Sequence, residues 1–112
     1  MAGNARLCTL DDIPDGGAKG FDAGTYGLAE DLIVLRRGRD AFAYVNRCPH
    51  QGTPLETFPD RFLDQTGELL ICSTHGARFR VRDGFCVKGP CEGASLEAVA
   101  ITVEDGNVFV SR

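Results

Sequence analysis

Two short segments of the chain each place one cysteine close to one histidine. Cys48-Pro49-His50 has one residue between its cysteine and its histidine, and Cys72-Ser73-Thr74-His75 has two. The chain has no other histidines, and thiolate and imidazole are the side chains that bind transition metals best. Glycine follows closely in both segments, as expected where the backbone wraps around a compact centre. We therefore predict a metal centre whose ligands come from these two segments. Its candidate ligands are Cys48, His50, Cys72 and His75.

Other interpretations of the four residues are a chance arrangement, a single zinc ion, or a cysteine nucleophile paired with a histidine. Zinc modules favour two or more residues between paired ligands. The C-x-H segment leaves only one residue between its two ligands, a spacing that suits donors reaching two different metal atoms better than donors drawn into one tetrahedron. The sequence indicates no acid that would orient a catalytic histidine. A centre of two iron atoms fits the spacing better than these alternatives, which nevertheless stay open.

Residues 48–55 and 72–79 resemble the two cluster-binding loops of Rieske [2Fe–2S] proteins. The matching segments read Cys-Pro-His-Gln-Gly-Thr-Pro-Leu and Cys-Ser-Thr-His-Gly-Ala-Arg-Phe. In that family the pattern C-x-H…C-x-x-H gives one iron two thiolates and the other iron two imidazoles. Residues 84–90 are similar to the family's third loop, whose Gly-Pro covers the cluster. The resemblance implies one [2Fe–2S] cluster, with both cysteines on the buried iron and both histidines on the outer iron.

Four positions differ from the respiratory, high-potential members of the family. Thr53 and Thr74 stand where those members have a disulfide between the loops. Ala77 and Phe79 stand where they have a serine and a tyrosine that donate hydrogen bonds to cluster sulfurs. Each such bond stabilises the reduced state. We therefore expect a reduction potential near the low end of the Rieske range, about −150 mV.

The resemblance implies an electron carrier and not an enzyme. Such ferredoxins take electrons from a flavin-dependent ferredoxin reductase and pass them to a terminal oxygenase through small, transient contacts. The competing interpretation is a Rieske-like small subunit or accessory module of a larger reductase or oxygenase complex. For a carrier we expect a monomer. The residues that would surround the exposed histidine rings and contact a partner are Gln51, Thr53, Pro54 and Gly76.

Composition excludes several classes of protein. A chain of 112 residues is expected to form one domain, with a radius of gyration of about 13 Å. The net charge of −4 argues against a nucleic-acid partner. The N-terminus lacks the pattern of a signal peptide, and aliphatic runs such as Leu32–Leu35 are far shorter than a membrane span. We expect a cytoplasmic protein, in which five cysteines indicate metal or redox chemistry and not a disulfide framework.

Apolar residues mostly alternate with a period of two, which predicts an all-β chain. Three hairpins are expected, each with a glycine in its turn: residues 32–45, 78–87 and 101–110. The resemblance to Rieske proteins also indicates how the predicted strands are arranged. It implies a Rieske-like antiparallel β-sandwich or barrel base in a single domain of residues 1–112, with a cluster-binding subdomain inserted at about residues 46–88.

The remaining segments and cysteines have simpler interpretations. Single helical turns are predicted at residues 10–13 and 95–98, and a loose loop at residues 15–20. Cys8, Cys86 and Cys91 are expected to be small buried hydrophobic residues, although a Cys86–Cys91 disulfide stays open. Phe58 and Phe62, between the two cysteine segments, are expected in a core.

Overall fold

The computed structural model describes residues 4–49, 55, 62–72, 76–90 and 92–111. The described residues form nine strands, one 3-10 turn and one short helix. The strands are β1 (Asn4–Thr9), β2 (Ala18–Phe21), β3 (Leu32–Arg37), β4 (Asp40–Val45), β5 (Leu69–Ile71), β6 (Arg78–Arg80), β7 (Cys86–Lys88), β8 (Ile101–Glu104) and β9 (Asn107–Ser111). The 3-10 turn is Leu10–Asp12, and helix α1 is Ala23–Tyr26. The predicted all-β class is confirmed, and the radius of gyration is 13.2 Å.

The strands form three antiparallel sheets of three strands each. The terminal sheet, with the order β1-β9-β8, joins the two ends of the described chain. The central sheet has the order β2-β3-β4, and the distal sheet has the order β5-β6-β7. Since β5–β7 lie between β4 and β8 in the sequence, the distal sheet is an insertion between the central and terminal sheets.

The central sheet is buried on both faces. Successive side chains of a strand point to opposite sides, and all four residues of the aliphatic run at the start of β3 are buried. Ile33 and Leu35 belong to the core cluster that includes Phe79 of the distal sheet. Leu32 and Val34 belong to the cluster that includes valines of the terminal sheet. The run is continuous and not alternating because each face of β3 has its own core.

Tyr44 on β4 connects the central sheet to the distal sheet. Its side chain is buried, and its hydroxyl donates a hydrogen bond to the Val81 carbonyl. Gly84 lies against its ring, where an added Cβ would come within 2.8 Å of Tyr44 Cε1. Burial, with a smaller effect of Asp83, raises the pKa of the Tyr44 hydroxyl to about 12. The tyrosine is therefore a neutral donor that fixes the turn between β6 and β7.

All three predicted hairpins are confirmed, as the pairs β3–β4, β6–β7 and β8–β9. The helical turn at residues 10–13 is confirmed as a 3-10 turn. The turn predicted at residues 95–98 is wrong, because bridges at Ser95 and Ala98 keep this segment extended. The loose loop at residues 15–20 is wrong in its second half, which belongs to β2. Both errors fall where pairing with a distant strand overrode a weak local pattern.

The expected buried residues are confirmed where the structure describes them. Cys8, Cys86 and Phe62 are each 5% exposed or less. Phe58 and Cys91 lie outside the described residues, so their burial stays a prediction and a Cys86–Cys91 disulfide stays open. In the part of the chain that the structure describes, none of the helices has the length and apolar character needed to cross a bilayer.

Candidate metal centre

The structure places both cysteines of the predicted centre in one core. Cys48 follows β4 and Cys72 follows β5 directly; both are 0% exposed and belong to the cluster between the central and distal sheets. His50 and His75 lie outside the described residues, and no group of three possible ligands is found among the residues that are described. The four-residue ligand set therefore stays a prediction. Also outside the described residues are Gln51, Thr53 and Pro54.

The first loop, residues 46–55, is closed at its ends by one side chain. Asn46 donates its backbone N–H to the Asp31 carbonyl at 2.8 Å, and Arg47 donates to the Val45 carbonyl at 2.8 Å. The Asn46 side-chain oxygen Oδ1 accepts from the Leu55 N–H at 2.9 Å. Asn46 is not among the site residues predicted from the sequence. The signal that could have found it is an asparagine at the end of an apolar strand, where its side chain favours turns.

The second loop, residues 72–77, is closed by the main chain. Cys72 donates its N–H to the Ala77 carbonyl at 2.8 Å, and Gly76 donates its N–H to the Cys72 carbonyl at 2.8 Å. Gly76 has a φ of 72°, in the left-handed region that favours glycine. Residues 73–75 between these points lie outside the described residues. The two bonds hold the loop shut between β5 and β6 and involve no side chain.

The third segment, residues 84–90, packs against the second loop. A Cβ added to Gly89 would lie 2.6 Å from the Ala77 Cα, and the φ of Gly89 is 106°. Cys86, which is buried, donates its thiol to the Lys88 carbonyl at 3.2 Å. The resemblance implies that the Gly-Pro of the third loop covers the cluster. The close contact of Gly89 with Ala77 fits that role.

Charges beside both loops are compensated within the chain. Arg78, the residue after the second loop, has its Nε 3.3 Å from an oxygen of Asp64, whose side chain is 4% exposed. Hydrogen bonds from Thr66, above all from its hydroxyl, lower the pKa of Asp64, and Arg78 adds to this. Beside the first loop, Arg47 pairs with Glu30. The carboxylate beside the second loop is thus ionised and neutralises the neighbouring guanidinium.

The chemistry of the described residues fits a buried iron–sulfur group. Cys48 and Cys72 are fully buried, and a buried thiolate requires a compensating positive charge such as a metal. Around them, Ala77 and Phe79 are also 0% exposed and carry no polar atom on their side chains. The site therefore combines two buried thiols, a group suited to binding metals, with an apolar, water-excluding wall.

Comparisons with known proteins agree with this chemistry. The model of the Rieske [2Fe–2S] domain matches residues 4–108. The ferredoxin component of an alkene monooxygenase system from Xanthobacter autotrophicus is 33% identical over 104 residues, covering 93% of this chain and 77% of that protein. The ferredoxin subunit of 3-phenylpropionate/cinnamic acid dioxygenase from Photorhabdus laumondii is 26% identical over 107 residues, covering 94% and 90%.

Solved structures agree as well. The ferredoxin of carbazole 1,9a-dioxygenase from Nocardioides aromaticivorans superimposes with a TM-score of 0.75 at 25% identity, with 96% of each chain covered. A chain in the complex of reduced oxygenase and oxidized ferredoxin in carbazole 1,9a-dioxygenase has a TM-score of 0.75 at 26% identity, covering 96% of this chain and 92% of that chain. The family resemblance and the Rieske-like fold predicted from the sequence are confirmed. The chain belongs to the Rieske [2Fe–2S] domain family and is an electron carrier of the ferredoxin type, with one such cluster as its cofactor.

Proposed function

We propose that Cys48 and Cys72 bind one iron of the cluster and that His50 and His75 bind the other. The observation that carries this proposal is the complete burial of both cysteines in one core cluster, at two loops that are each held shut. Each cysteine has a histidine within three residues of it in the sequence. Two thiolates on the buried side leave the imidazoles for the outer side, where a partner can approach them.

This ligand set belongs to a two-part domain. Residues 1–112 form a single Rieske domain, and the cluster-binding subdomain runs from about residue 46 to about residue 88. Support comes from the distal sheet, whose three strands all lie within that range. The central and terminal sheets then act as the base, and Tyr44 connects the base to the subdomain.

The residues around the cysteines tune and protect the site. The bound cluster supplies reversible one-electron chemistry. Ala77 and Phe79 exclude water and offer no side-chain donor, so the extra negative charge of the reduced state gains no hydrogen bond from them. The reduction potential is accordingly near the low end of the Rieske range, about −150 mV.

The partners are a flavin-dependent ferredoxin reductase that supplies electrons and a terminal oxygenase that receives them. Two relatives are ferredoxins of oxygenase systems by name, and one structural relative comes from a complex of oxygenase and ferredoxin. The carrier acts as a monomer in the cytoplasm, where thiols stay reduced, through transient contacts and without nucleic-acid or membrane partners. The contact residues proposed around the histidine rings are Gln51, Thr53, Pro54 and Gly76.

A permanently bound subunit is the second candidate, favoured by the word "subunit" in the name of one relative. Gel filtration of the purified chain, followed by reduction with a flavoprotein reductase, separates the two functions. A carrier elutes alone as a monomer and passes electrons to an added acceptor. A bound subunit elutes with its partner when purified from its natural source.

The ligand set is tested by purifying the protein without oxygen and measuring iron, acid-labile sulfide and the EPR spectrum of the dithionite-reduced state. We expect equal iron and sulfide and a Rieske spectrum. His50→Ala and His75→Ala should each abolish that spectrum, whereas the control Cys86→Ser should keep it. A colourless protein that contains zinc, or loss of the cluster in Cys86→Ser, would contradict the proposed ligands.

A further inference from the structure

We propose that Asn46 is a positioning residue for the cluster: its side chain holds the first loop closed and thereby places the two ligands that this loop contributes. The inference rests on the proposed ligand set, in which those ligands are Cys48 and His50. It adds a role for a residue that binds no iron itself and acts through the backbone of Leu55.

The backbone of Asn46 is fixed from both sides. Its N–H donates to the Asp31 carbonyl at 2.8 Å, and the bond from the Arg47 N–H to the Val45 carbonyl spans a tight three-residue turn with Asn46 at its centre. Asp31 is itself held, because its Oδ1 accepts from the Ala23 N–H at 2.8 Å at the start of α1. The side chain of Asn46 thus extends from a backbone position that cannot shift easily.

The other end of the bond is equally fixed. Leu55 is 0% exposed and belongs to the same core cluster as Cys48 and Cys72. Its N–H points to Asn46 Oδ1 at 2.9 Å. A buried backbone N–H needs a hydrogen-bond acceptor. For the Leu55 N–H, the acceptor that the structure describes is Asn46 Oδ1. Loss of the acceptor would leave a costly unpaired group in the core.

The bond therefore ties two anchored points across residues 47–54, the segment that contains Cys48 and His50. Closing a loop before its ligand arrives reduces the conformational entropy lost on binding. The second loop has two main-chain bonds for this purpose. In the first loop the bond described across the loop comes from a side chain, so this bond depends on the identity of residue 46.

The test follows iron released from the oxidised holoprotein into excess chelator. Asn46→Leu keeps the number and branching of the side-chain heavy atoms and removes the acceptor, whereas Asn46→Asp keeps an acceptor at Oδ1. Asn107→Leu is the matched control, since Asn107 Oδ1 accepts from Arg6 Nε at 2.9 Å in the terminal sheet. We expect release about tenfold faster from Asn46→Leu, the effect of one lost hydrogen bond. Release from Asn46→Asp and Asn107→Leu should match the wild type.

The EPR spectrum of the reduced proteins is a second measurement, which a purely structural role would not change. Asn46→Leu should give broader lines because its first loop samples several arrangements, and Asn46→Asp should restore the wild-type line width. If Asn46→Leu does not accumulate as holoprotein, Asn46→Ala replaces it, because alanine also lacks a side-chain acceptor for the Leu55 N–H.

Two results would overturn the inference: wild-type release from the variant without an acceptor, or release from Asn46→Asp as fast as from that variant. Failure of the proposed ligand set gives a different result. In that case the wild-type protein itself contains no iron and no labile sulfide, or the control Cys86→Ser loses the cluster, whatever residue stands at position 46.

Discussion

The two loops that carry the proposed ligands are closed in different ways. In the first loop the side chain of Asn46 accepts from the Leu55 N–H. In the second loop Cys72 exchanges main-chain bonds with Ala77 and Gly76. A main-chain bond survives most substitutions, whereas a side-chain bond is lost with a single one. The bond described across the first loop therefore depends on the side chain of Asn46, and the bonds of the second loop depend on the backbone conformations that its residues can adopt.

The third segment reinforces this difference. Gly89 contacts the backbone of Ala77 so closely that no side chain fits between them. The second loop is thus sensitive to substitutions that add atoms at Gly89. The first loop is sensitive to substitutions that remove the side-chain acceptor of Asn46. Single substitutions at the two loops can therefore separate the two kinds of sensitivity.

Gly89→Ala should prevent stable cluster incorporation. The new Cβ would lie 2.6 Å from the Ala77 Cα at a φ of 106°, so the third segment must move off the second loop. The matched control is Gly93→Ala, whose φ is 94° with no atom within 4 Å of the added Cβ. The control has only backbone strain, about 1–2 kcal/mol, and overpacking adds typically 1–3 kcal/mol at position 89. Iron content and urea unfolding are measured for both variants. Equal losses of iron and stability in Gly89→Ala and Gly93→Ala would contradict the close contact between Gly89 and Ala77.

Tyr44→Phe should loosen the connection between the sheets that carry the two loops. It removes the donor to the Val81 carbonyl and lowers the free energy of unfolding by about 1–3 kcal/mol, as for a buried group left unpaired. Urea unfolding at pH 7 measures the change. A loss below about 0.5 kcal/mol, within the range of an ordinary surface substitution, would show that the hydroxyl bond does not connect the sheets.

The same tyrosine predicts a dependence of stability on alkaline pH. Its pKa is raised from 10.0 to about 12 in the folded protein. Its contribution is therefore complete below pH 10 and is lost as the pH rises toward 12. Cys8, with its pKa raised from 9.0 to about 11, adds a loss of its own. Since Cys8 is present in both proteins, the difference between wild type and Tyr44→Phe across this range isolates the tyrosine; parallel curves would contradict its titration.

Ala77→Ser should raise the reduction potential, by an amount on the order of tens of millivolts. A hydroxyl at this position of the second loop can donate toward a cluster sulfur and stabilise the reduced state. Ala43→Ser, at a buried position in the other core cluster, is the control and should leave the potential unchanged. Potentiometric titration followed by EPR measures both variants. An unchanged potential in Ala77→Ser would remove the hydrogen-bond explanation for a low-potential protein.

Asp64→Asn should raise the potential by a smaller amount. It leaves Arg78, beside the second loop, without its ion pair, and a nearby positive charge favours the more negative, reduced state. Asp83→Asn breaks the pair with Arg80 at the opposite end of β6, where both side chains are about 40% exposed, and should have no effect. Equal shifts in the two variants would show that the location of the charge is unimportant.

Much of the site and fold could be predicted from the sequence, for physical reasons that differ by element. Ligand chemistry depends on residue type and short spacing, so the segments at Cys48 and Cys72 were recognisable directly. Hairpins are local, and a turn such as Asp105-Gly106 between β8 and β9 carries its own signal. The segment at residues 95–98 was predicted wrongly, because its bridges to Phe85 and Tyr44 are contacts with distant parts of the chain.

The sequence by itself determined the family, the cofactor and the β-rich class, since these follow from side-chain chemistry and from patterns a few residues long. Tertiary structure alone decided which residues secure the site: Asn46 for the first loop, Gly89 for the second, and Tyr44 for the sheets between them. Each of these acts on a partner at least nine residues away in the chain. The partner in such a contact has no local signature, because the contact exists only after the sheets have packed and brought its two ends within bonding distance.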